Sequence, residues 1–420
     1  MSVLLKVYEY IEKIKNGEIS FQQLINKGLK EINEADSYLI KDSIKSIVNR
    51  YYFLMWEQNK IIKIEDEKIK DYFICALGQY HYVKEIDDEK LLGFFNEDKE
   101  ELEGINPEEM IKAITNLGGS QYPISQKENE IIVKRLAINY AYPEWVIKMM
   151  TKQFGIKHTY KAVASSRKSI KIALNCNTFL CDSEKILANA SENTFEKGKL
   201  ATNALRYIGK EKLIDLPEFK KNQVFVEDEV SQLLVEKLGL ETGDEALLVC
   251  EDRGTIALNM AMMMKDVGTI HVACQNIFDL NSTRNIANRF KIHSLDMFES
   301  TVDLLLTHVP NDSCDKILLI PNSTQFGLIR RKPAVLLTLK RDSLDELIAN
   351  QKKELEEVSN FLKSGGKIVY AVYTYNRKES NLVISDFLEK HQDFSLIEEK
   401  QLFSYEAPSD GVYYAIIQKK

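Results

Sequence analysis

The stretch EALLVCEDRGTIALNMAMMMKDVGTIHVAC, Glu245 to Cys274, decides the fold. Two short apolar runs, EALLVC and GTIHVAC, flank a longer apolar run of helical length. Strands that read as nearly continuous apolar runs and alternate with helices are typical of βαβ units, in which helices cover both faces of a parallel sheet. The stretch therefore predicts an α/β domain.

The same alternation continues downstream. LNSTRNIANRF (280–290) predicts a helix and DKILLI (315–320) a buried strand. Apolar residues at helical spacing then predict a long helix over 344–362, which Gly365 and Gly366 end. KIVYAVYTY predicts another buried strand, and DFSLIEEKQLF and GVYYAIIQKK predict two strands that complete the sheet. Ligands of such sheets bind beyond the carboxyl ends of the strands, so the candidate site is formed by the loops after Cys250, Ile320 and Tyr373.

The chain before residue 222 has a different pattern. Apolar residues at helical spacing, such as Ile44, Ile47, Val48 and Tyr51, predict an all-α domain over residues 1–130, whose last helix ends at Gly118 and Gly119. An aromatic helix (135–155) and short β-like runs predict a small α/β linking domain over residues 131–221. Residues 222–420 form the α/β domain described above.

Composition excludes several classes of protein. The 420 residues, 44% hydrophobic and 28% charged, can bury several cores, and no apolar run reaches the roughly 20 residues of a membrane span. A net charge of -7 excludes a globally basic nucleic-acid binder, so RNA contacts have to come from local patches. Six scattered cysteines without a CxxC pair argue against disulfides and zinc, and we expect a cytoplasmic protein with no metal and no membrane contact.

Five segments follow one another in a diagnostic order: YPEWVIKMM (142–150), FVEDEVSQLL (225–234), LLVCEDRGTIALNMA (247–261), GGKIVYAVYT (365–374) and SDGVYYA (409–415). Together they resemble the motifs of the S-adenosylmethionine (SAM)-dependent RNA 5-methylcytosine methyltransferases of the Sun/Nop type, and the whole chain is similar to their bacterial form. The resemblance implies a Rossmann-like class I SAM-methyltransferase domain, a NusB-like helical domain at the start, SAM as cofactor, and RNA, specifically ribosomal RNA, as partner.

The cofactor loop departs from the family pattern, which is Asp-x-Cys-Ala-Ala-Pro-Gly-Gly-Lys-Thr. Cys250 and Gly254 match it, whereas Leu248 and the segments 251–253 and 255–256 do not. Two of the new residues are carboxylates, which would oppose the cofactor's own carboxylate, and the loss of one glycine restricts the turn.

Of the two remaining cofactor-binding positions, one lacks the family's acid and the other has it. The strand IHVACQN offers Cys274 or Gln275 where the family has an acid that binds the ribose hydroxyls. Asp296, in SLDMF, resembles the adenine-side acid. The resemblance therefore implies weakened SAM binding, with Cys250, Gly254 and Asp296 retained.

The catalytic loops have lost their thiols. LLIPNSTQFGLIRRKP (318–333) aligns with the family's Asp-Ala-Pro-Cys-Ser-Gly-x-Gly loop, which puts Ile320 at the base-contacting aspartate and Ser323 at the cysteine that helps release the product. Tyr373 stands at the nucleophile, the cysteine that attacks cytosine C6. That attack needs a thiolate, which neither oxygen side chain replaces without a base, and only a distant His158 or His271 could approach Ser323. Losing a nucleophile costs on the order of 10⁴ or more in rate.

Three further features each have two interpretations. Two basic clusters either contact RNA phosphates or form a solvated face. One comprises Arg330, Arg331 and Lys332, and the other comprises Lys168 with Lys161, Arg167 and Lys171 around it. Trp145 is a packing residue rather than a stacking platform. Cys176 and Cys181, with His158, are core residues rather than a metal cluster.

These observations favour a degenerate family member that binds rRNA without methylating cytosine. An active SAM-dependent rRNA methyltransferase with an altered site is the alternative. A protein-binding regulator without RNA affinity is a third hypothesis.

Overall fold

The computed structural model describes residues 2–24, 33–83, 86–97, 102, 106–116, 130–169, 171–250, 254–406 and 409–420. The chain forms two compact units. One comprises Met1–Arg167 with Arg331–Lys340, and the other Lys168–Arg330 with Arg341–Lys420. The boundaries predicted at residues 130 and 221 divide the chain differently, because residues 131–167 belong to the first unit and both sheets belong to the second.

The first unit, here called the helical unit, contains helices that bury apolar stripes against one another. They are α1 (Val3–Lys15), α2 (Phe21–Gln23), α3 (Glu34–Ile61), α4 (Glu67–Tyr82), α5 (Asp88–Glu97), α6 (Pro107–Thr115), α7 (Ile132–Asn139) and α8 (Glu144–Ser166), followed much later by the turn Val335–Thr338. Ile44, Ile47, Val48 and Tyr51 are buried on α3, as their spacing predicts. The predicted stop at Gly118 and Gly119 lies outside the described residues.

The aromatic helix predicted over 135–155 is two helices, α7 and α8. Pro143 lies between them as the N-cap of α8, where its fixed φ suits a helix start. Inside α8 the backbone leaves helical geometry at Gly155, whose φ of 78° is accessible to glycine without a Cβ clash. None of the helices in the described ranges is long and apolar enough to cross a membrane.

The second unit begins with a small antiparallel sheet. Its strands β1 (Ile172–Cys176), β2 (Phe195–Lys197), β3 (Ala204–Tyr207) and β4 (Val224–Val226) are arranged in the order β2-β3-β1-β4. Helices α9 (Ser183–Asn189) and α10 (Pro217–Lys220) accompany it. Its core includes Leu174, Cys176, Ile186 and Leu205.

A seven-stranded sheet dominates the second unit. Its strands are β5 (Glu245–Cys250), β6 (Thr269–Cys274), β7 (Leu295–Glu299), β8 (Cys314–Ile320), β9 (Leu362–Val372), β10 (Phe394–Leu402) and β11 (Val412–Lys419). The helices around them are α11 (Glu229–Leu238), α12 (Thr255–Met263), α13 (Ile277–Phe290), α14 (Leu344–Ser359) and α15 (Asn381–Lys390).

The strand order is β10-β11-β9-β8-β5-β6-β7, in which β5 to β9 pair in parallel and β11 pairs antiparallel with both β9 and β10. The order reverses between β5 and β8, which is the crevice where doubly wound sheets bind ligands. This is the Rossmann-like methyltransferase sheet that the sequence predicts.

Strand β5 shows why its sequence is apolar throughout. Ala246, Leu248 and Cys250 pack into the core on one face of the sheet, whereas Leu247 and Val249 pack into the core on the other. Both faces of the strand are therefore dry, and period-two alternation of polar residues is absent.

One predicted helix end is wrong. The helix expected over 344–362 ends at Ser359, and Leu362 through Gly366 belong to β9. The pairing of β9 with β8 shifts register between Cys314 and Lys316, so an irregular strand end replaces the last predicted helical turn.

Candidate functional site

The predicted loops meet at one edge of the large sheet. Cys250 ends β5, Cys274 ends β6 and Ile320 ends β8, and in the parallel register Cys250 lies directly beside Ile320. β9 ends at Val372, so Tyr373 follows at the same edge. The structure therefore brings together the cofactor loop and both catalytic loops that the sequence singles out.

Tyr373 is held by two neighbouring elements. Its hydroxyl lies 3.0 Å from the hydroxyl of Ser231 on α11, and its carbonyl accepts the amide hydrogen of Gly327 at 3.0 Å. The side chain is half-buried. A phenol engaged in this way fills the nucleophile position with a hydrogen-bonding and packing group.

Ser323 lies in the loop after β8, where its hydroxyl accepts the amide hydrogen of Gln325 at 3.3 Å. Ile320, at the position of the family's aspartate, is buried and apolar. His271 does not serve as a base for this loop, because its two ring nitrogens lie 2.7 Å from Glu245 Oε1 and 2.9 Å from Asp296 Oδ2 in the amino half of the sheet. His158 belongs to helix α8 of the helical unit.

The retained glycine of the cofactor loop has a clear structural role. Gly254 precedes α12 with a φ of 86°, and a Cβ there would lie 2.8 Å from the Cα of Thr283 on α13. Only glycine meets both conditions. The substituted residues Glu251, Asp252 and Arg253 lie outside the described residues.

The ribose position is apolar in this structure. Cys274 ends β6 as a buried thiol, with its Sγ 4.0 Å from the hydroxyl of Thr283. Gln275 follows it and is half-buried. A buried thiol does not supply the pair of carboxylate acceptors that two ribose hydroxyls require.

Asp296 does not lie where the resemblance places the adenine-side acid. It is the second residue of β7, paired with His271, whereas the ligand edge is at the strand's other end. Glu299, an exposed carboxylate, ends β7 instead. The sequence comparison with the family therefore identified an acid on this strand, but Glu299 rather than Asp296 lies at the edge where ligands bind.

A buried carboxylate network lies beside the catalytic loops, and sequence reasoning missed it. Glu379 is fully buried and accepts the amide hydrogen of Thr324 at 2.7 Å. Its other oxygen lies 2.8 Å from the hydroxyl of Thr324 and 2.8 Å from that of Thr374, and the two hydroxyls are 2.7 Å apart. Gln351 on α14 adds a hydrogen bond at 3.3 Å. The network joins the loop after β8 to the loop after β9.

Burial raises the pKa of the Glu379 carboxyl above its ordinary value, and the hydrogen bonds from Thr324, Thr374 and Gln351 offset part of that rise. The sequence feature that could have indicated Glu379 is its position, since it is an acid a few residues after the motif GGKIVYAVYT, which ends a predicted strand. An acid alone, however, is equally typical of an exposed loop.

Arg330 is anchored inside its unit. Its guanidinium donates to the carbonyl of Ser409, whose hydroxyl donates to Asp228. Asp228 also accepts the amide hydrogen of Val230 at 3.0 Å, which caps α11. One guanidinium nitrogen of Arg330 is thus engaged within its unit, and the RNA contact of this residue stays a prediction. Arg331 and Lys332 are exposed.

The second predicted basic cluster contains one structural residue. Arg167 donates to the carbonyls of Tyr140 and Asn49, each at 2.8 Å, and burial lowers the pKa of its guanidinium. Lys168 is exposed, and Lys171 pairs with Glu196 at 2.9 Å. Lys161 and Lys171 are exposed as well, so three lysines of this group are accessible.

The six thiols are buried. Burial raises the pKa of Cys314 to about 11 and that of Cys176 to about 12, so neither supplies a thiolate at neutral pH. Among the described residues no group of three or more His, Cys, Asp or Glu side chains could hold a metal ion.

Residues 235–412 match the family model of the 16S rRNA methyltransferase RsmB/F. This match covers less than half of the chain, so the likeness to this family is shown for residues 235–412. One relative is the probable ribosomal RNA small subunit methyltransferase B of Bacillus subtilis (strain 168), which is 27% identical over 264 residues. That match covers 62% of this chain and 59% of the relative, so it spans less than two thirds of the relative's length.

Solved structures show the same fold. The crystal structure of PH0851 covers 100% of this chain and 99% of its own, with a TM-score of 0.76 at 17% identity. A methyltransferase homolog protein from Pyrococcus horikoshii covers 71% of this chain and 100% of its own, with a TM-score of 0.61 at 17% identity. The predicted Rossmann-like fold is thereby confirmed.

Proposed function

We propose that this protein binds ribosomal RNA without methylating cytosine at C5. The observation that carries the proposal is Tyr373, which occupies the nucleophile position with its hydroxyl 3.0 Å from Ser231. Attack on cytosine C6 requires a nucleophile that is ionised in an appreciable fraction at neutral pH, which a phenol hydrogen-bonded to a serine is not.

Neither Ser323 nor Ile320 compensates for the thiol that is missing at position 373. Ser323 accepts a backbone hydrogen bond, and the position that would contact the base carries the apolar Ile320. Without a thiolate and without the base-reading carboxylate, both the covalent step and the recognition of cytosine are weakened. The combined absence of the thiolate and the carboxylate supports a non-catalytic role more strongly than the absence of one of these groups would.

Weakened SAM binding forms part of the proposal. Gly254 and Cys250 retain the shape of the loop start, and residues there and at Glu299 are the ones that would hold the cofactor, which supplies the methyl group when bound. However, the buried Cys274 thiol does not fit the ribose hydroxyls.

RNA binding is proposed from the likeness to this family together with exposed cations. Arg331, Lys332 and Lys168 are exposed, and a net charge of -7 makes non-specific attraction to phosphates weak. Binding should then depend on these local cations and fall as salt rises.

The test is the affinity of the full chain for a dye-labelled fragment of small-subunit rRNA, measured by anisotropy from low to moderate salt. We expect binding that weakens with salt, and a smaller salt slope when Arg331→Gln and Lys332→Gln are combined. Lys390→Gln, which changes an exposed lysine on α15, is the charge-matched control and should leave the slope unchanged. Absence of salt-dependent binding would contradict the proposal and favour a protein-binding regulator.

A further inference from the structure

The helical unit contains a cavity of about 360 Å³ that the proposed function does not use. Its walls come from α3, α7 and the start of α8. Both tryptophans of the chain, Trp56 and Trp145, line it together with Tyr52 and Tyr142. A concave aromatic site of this size is in the range that holds one small planar group.

The side chains around the cavity combine aromatic faces with charges of both signs. Lys134 lies on the wall, and the ammonium of Lys60 lies 5.8 Å from the centre of the Trp56 ring. Glu144 and Asn59 supply polar atoms, and Glu144 also pairs with Lys148 at 2.6 Å. Aromatic faces stack on planar rings, amide and carboxylate oxygens read ring edges, and lysines meet phosphates.

A nucleobase with its flanking phosphates would use all of these groups at once. A protein partner would not, because a stable protein interface buries about 800 Å² per partner and needs a broad surface rather than one compact cavity. An apolar side chain of a peptide would fill the cavity but gain nothing from Lys134 and Lys60.

We propose that this cavity receives an unstacked base of single-stranded RNA, with Lys60 and Lys134 contacting the adjacent phosphates. The inference rests on the proposed function, since it gives the bound RNA a second point of contact away from the degenerate catalytic edge. It assigns Trp145 a stacking role in place of the packing role that the sequence favours.

The placement of the tryptophans supplies a direct readout. Because Trp56 and Trp145 are the chain's two tryptophans and both line the cavity, the whole tryptophan emission reports on its occupancy. The probe is a short oligoadenylate, compared with a ribose-phosphate oligomer of the same length that lacks bases. Anisotropy of dye-labelled versions of both measures binding independently.

We expect oligoadenylate to quench the emission saturably, over the same concentrations at which its anisotropy rises. The abasic oligomer should bind more weakly and leave the emission unchanged. Trp145→Ala should weaken oligoadenylate binding about tenfold, whereas Trp145→Phe, which keeps an aromatic face, should stay within about threefold of the unmodified chain.

Two lysine variants keep the test informative even where a tryptophan variant fails to fold. Lys134→Gln should weaken oligoadenylate binding about threefold or more. Lys45→Gln, which changes an exposed lysine in the first half of α3, is the charge-matched control and should have no effect.

The outcomes separate the two proposals. RNA binding with unchanged emission, and with unmodified affinity in Trp145→Ala and Lys134→Gln, would overturn the cavity assignment while the proposed function stands. Equal quenching by the abasic oligomer would overturn it as well, because no base would be required. Absence of any RNA binding by the full chain would contradict the proposed function and this inference together.

Discussion

At position 373, which the sequence aligns with the family's nucleophilic thiol, a phenol makes a specific contact. Its hydroxyl lies 3.0 Å from Ser231, a residue of the FVEDEVSQLL segment that the sequence matches to the family. The Tyr373 side chain therefore takes part in the surrounding hydrogen bonds and leaves no unfilled space at this position. A partly buried hydrogen bond of this kind contributes about 1 kcal/mol.

This contact predicts a coupling between two residues far apart in sequence. Tyr373→Phe and Ser231→Ala should each reduce the free energy of unfolding by about 1 kcal/mol, and the double variant should lose little more than either one. Urea unfolding of the three variants measures the coupling. Strictly additive losses would show that the hydroxyls do not interact.

Restoring the thiols alone should not restore the enzyme. The double variant Ser323→Cys with Tyr373→Cys regains both cysteines, but Ile320 still lacks the base-contacting carboxylate, and neither Cys274 nor Gln275 supplies the acid expected at the ribose. We expect methyl transfer from labelled SAM to rRNA to stay at background. Measurable transfer by this variant would contradict the claim that the cofactor region is also degenerate.

Between elements, the Glu379 network links two loops through three oxygen atoms. The hydroxyls of Thr324 and Thr374 and one Glu379 oxygen form a triangle with sides of 2.7 to 2.8 Å. Both hydroxyls donate to this Glu379 oxygen, and these bonds favour the ionised carboxylate. Burial outweighs them, so the pKa of Glu379 is raised above its ordinary value and the protonated form is favoured.

The network predicts a pH dependence with a definite sign. Because the pKa of Glu379 is raised in the folded state, the folded chain binds this proton more tightly than the unfolded chain does. The stabilisation is fully present below the ordinary pKa of 4.5 and is lost as the pH rises through the raised value. In Glu379→Gln this titration is absent.

The measurement is the difference in unfolding free energy between the unmodified chain and Glu379→Gln, from mildly acidic to mildly alkaline pH. We expect that difference to favour the unmodified chain at low pH and to shrink as the pH rises. Glu379→Ala, which leaves buried hydroxyls without an acceptor, should cost about 3 kcal/mol at low pH. A difference that is constant with pH would contradict protonation of Glu379.

The loop after β8 is also fixed by backbone contact with the start of β11. The amide of Gly411 donates to the carbonyl of Gly327 at 3.0 Å, and a Cβ on Gly327 would lie 1.9 Å from the carbonyl oxygen of Gly411. Gly327→Ala should therefore destabilise the chain by about 3 kcal/mol. Gly93→Ala, where a Cβ would meet no atom within 4 Å, is the matched control and should be neutral or slightly stabilising in helix α5. Equal stability of the two variants would show that the loop adjusts freely.

At this scale the sequence predicts element type well and element ends poorly. Alternating apolar runs predict the parallel sheet because β5 is dry on both faces. Periodicity cannot say where a strand ends, and the Asp296 assignment failed for that reason, since β7 continues three residues to Glu299. Likewise, Leu362 continues a helical spacing although the backbone has already turned into β9.

The candidate site could be predicted by position but not by contact. The loops after Cys250, Ile320 and Tyr373 do lie at one edge, because parallel topology places them there. The anchoring of Arg330 by Ser409 and the burial of Glu379 depend on loops that are distant in sequence. A run of charges such as Arg330 to Lys332 gives no signal about which of its members turns inward.

For the whole molecule, a class I methyltransferase fold coexists with departures from the motifs of the family that residues 235–412 match. Hydrogen bonds link Asp228, Ser409 and Arg330, which lie in or beside the matched segments. The positions that the sequence aligns with the family's catalytic residues carry Ile320, Ser323 and Tyr373. A fold by itself does not fix an activity, so a protein with this fold and without these thiols can serve as a binding protein, as we propose.

The most direct test of the account is methyl transfer from labelled SAM to a small-subunit rRNA fragment that the full chain binds, at enzyme in excess over RNA. If the protein binds rRNA without methylating cytosine, we expect RNA binding with no label incorporated above a control without protein, in the unmodified chain and in Tyr373→Phe alike. Incorporation of label at C5 of cytosine by the unmodified chain would contradict it and would establish an active methyltransferase with an altered site.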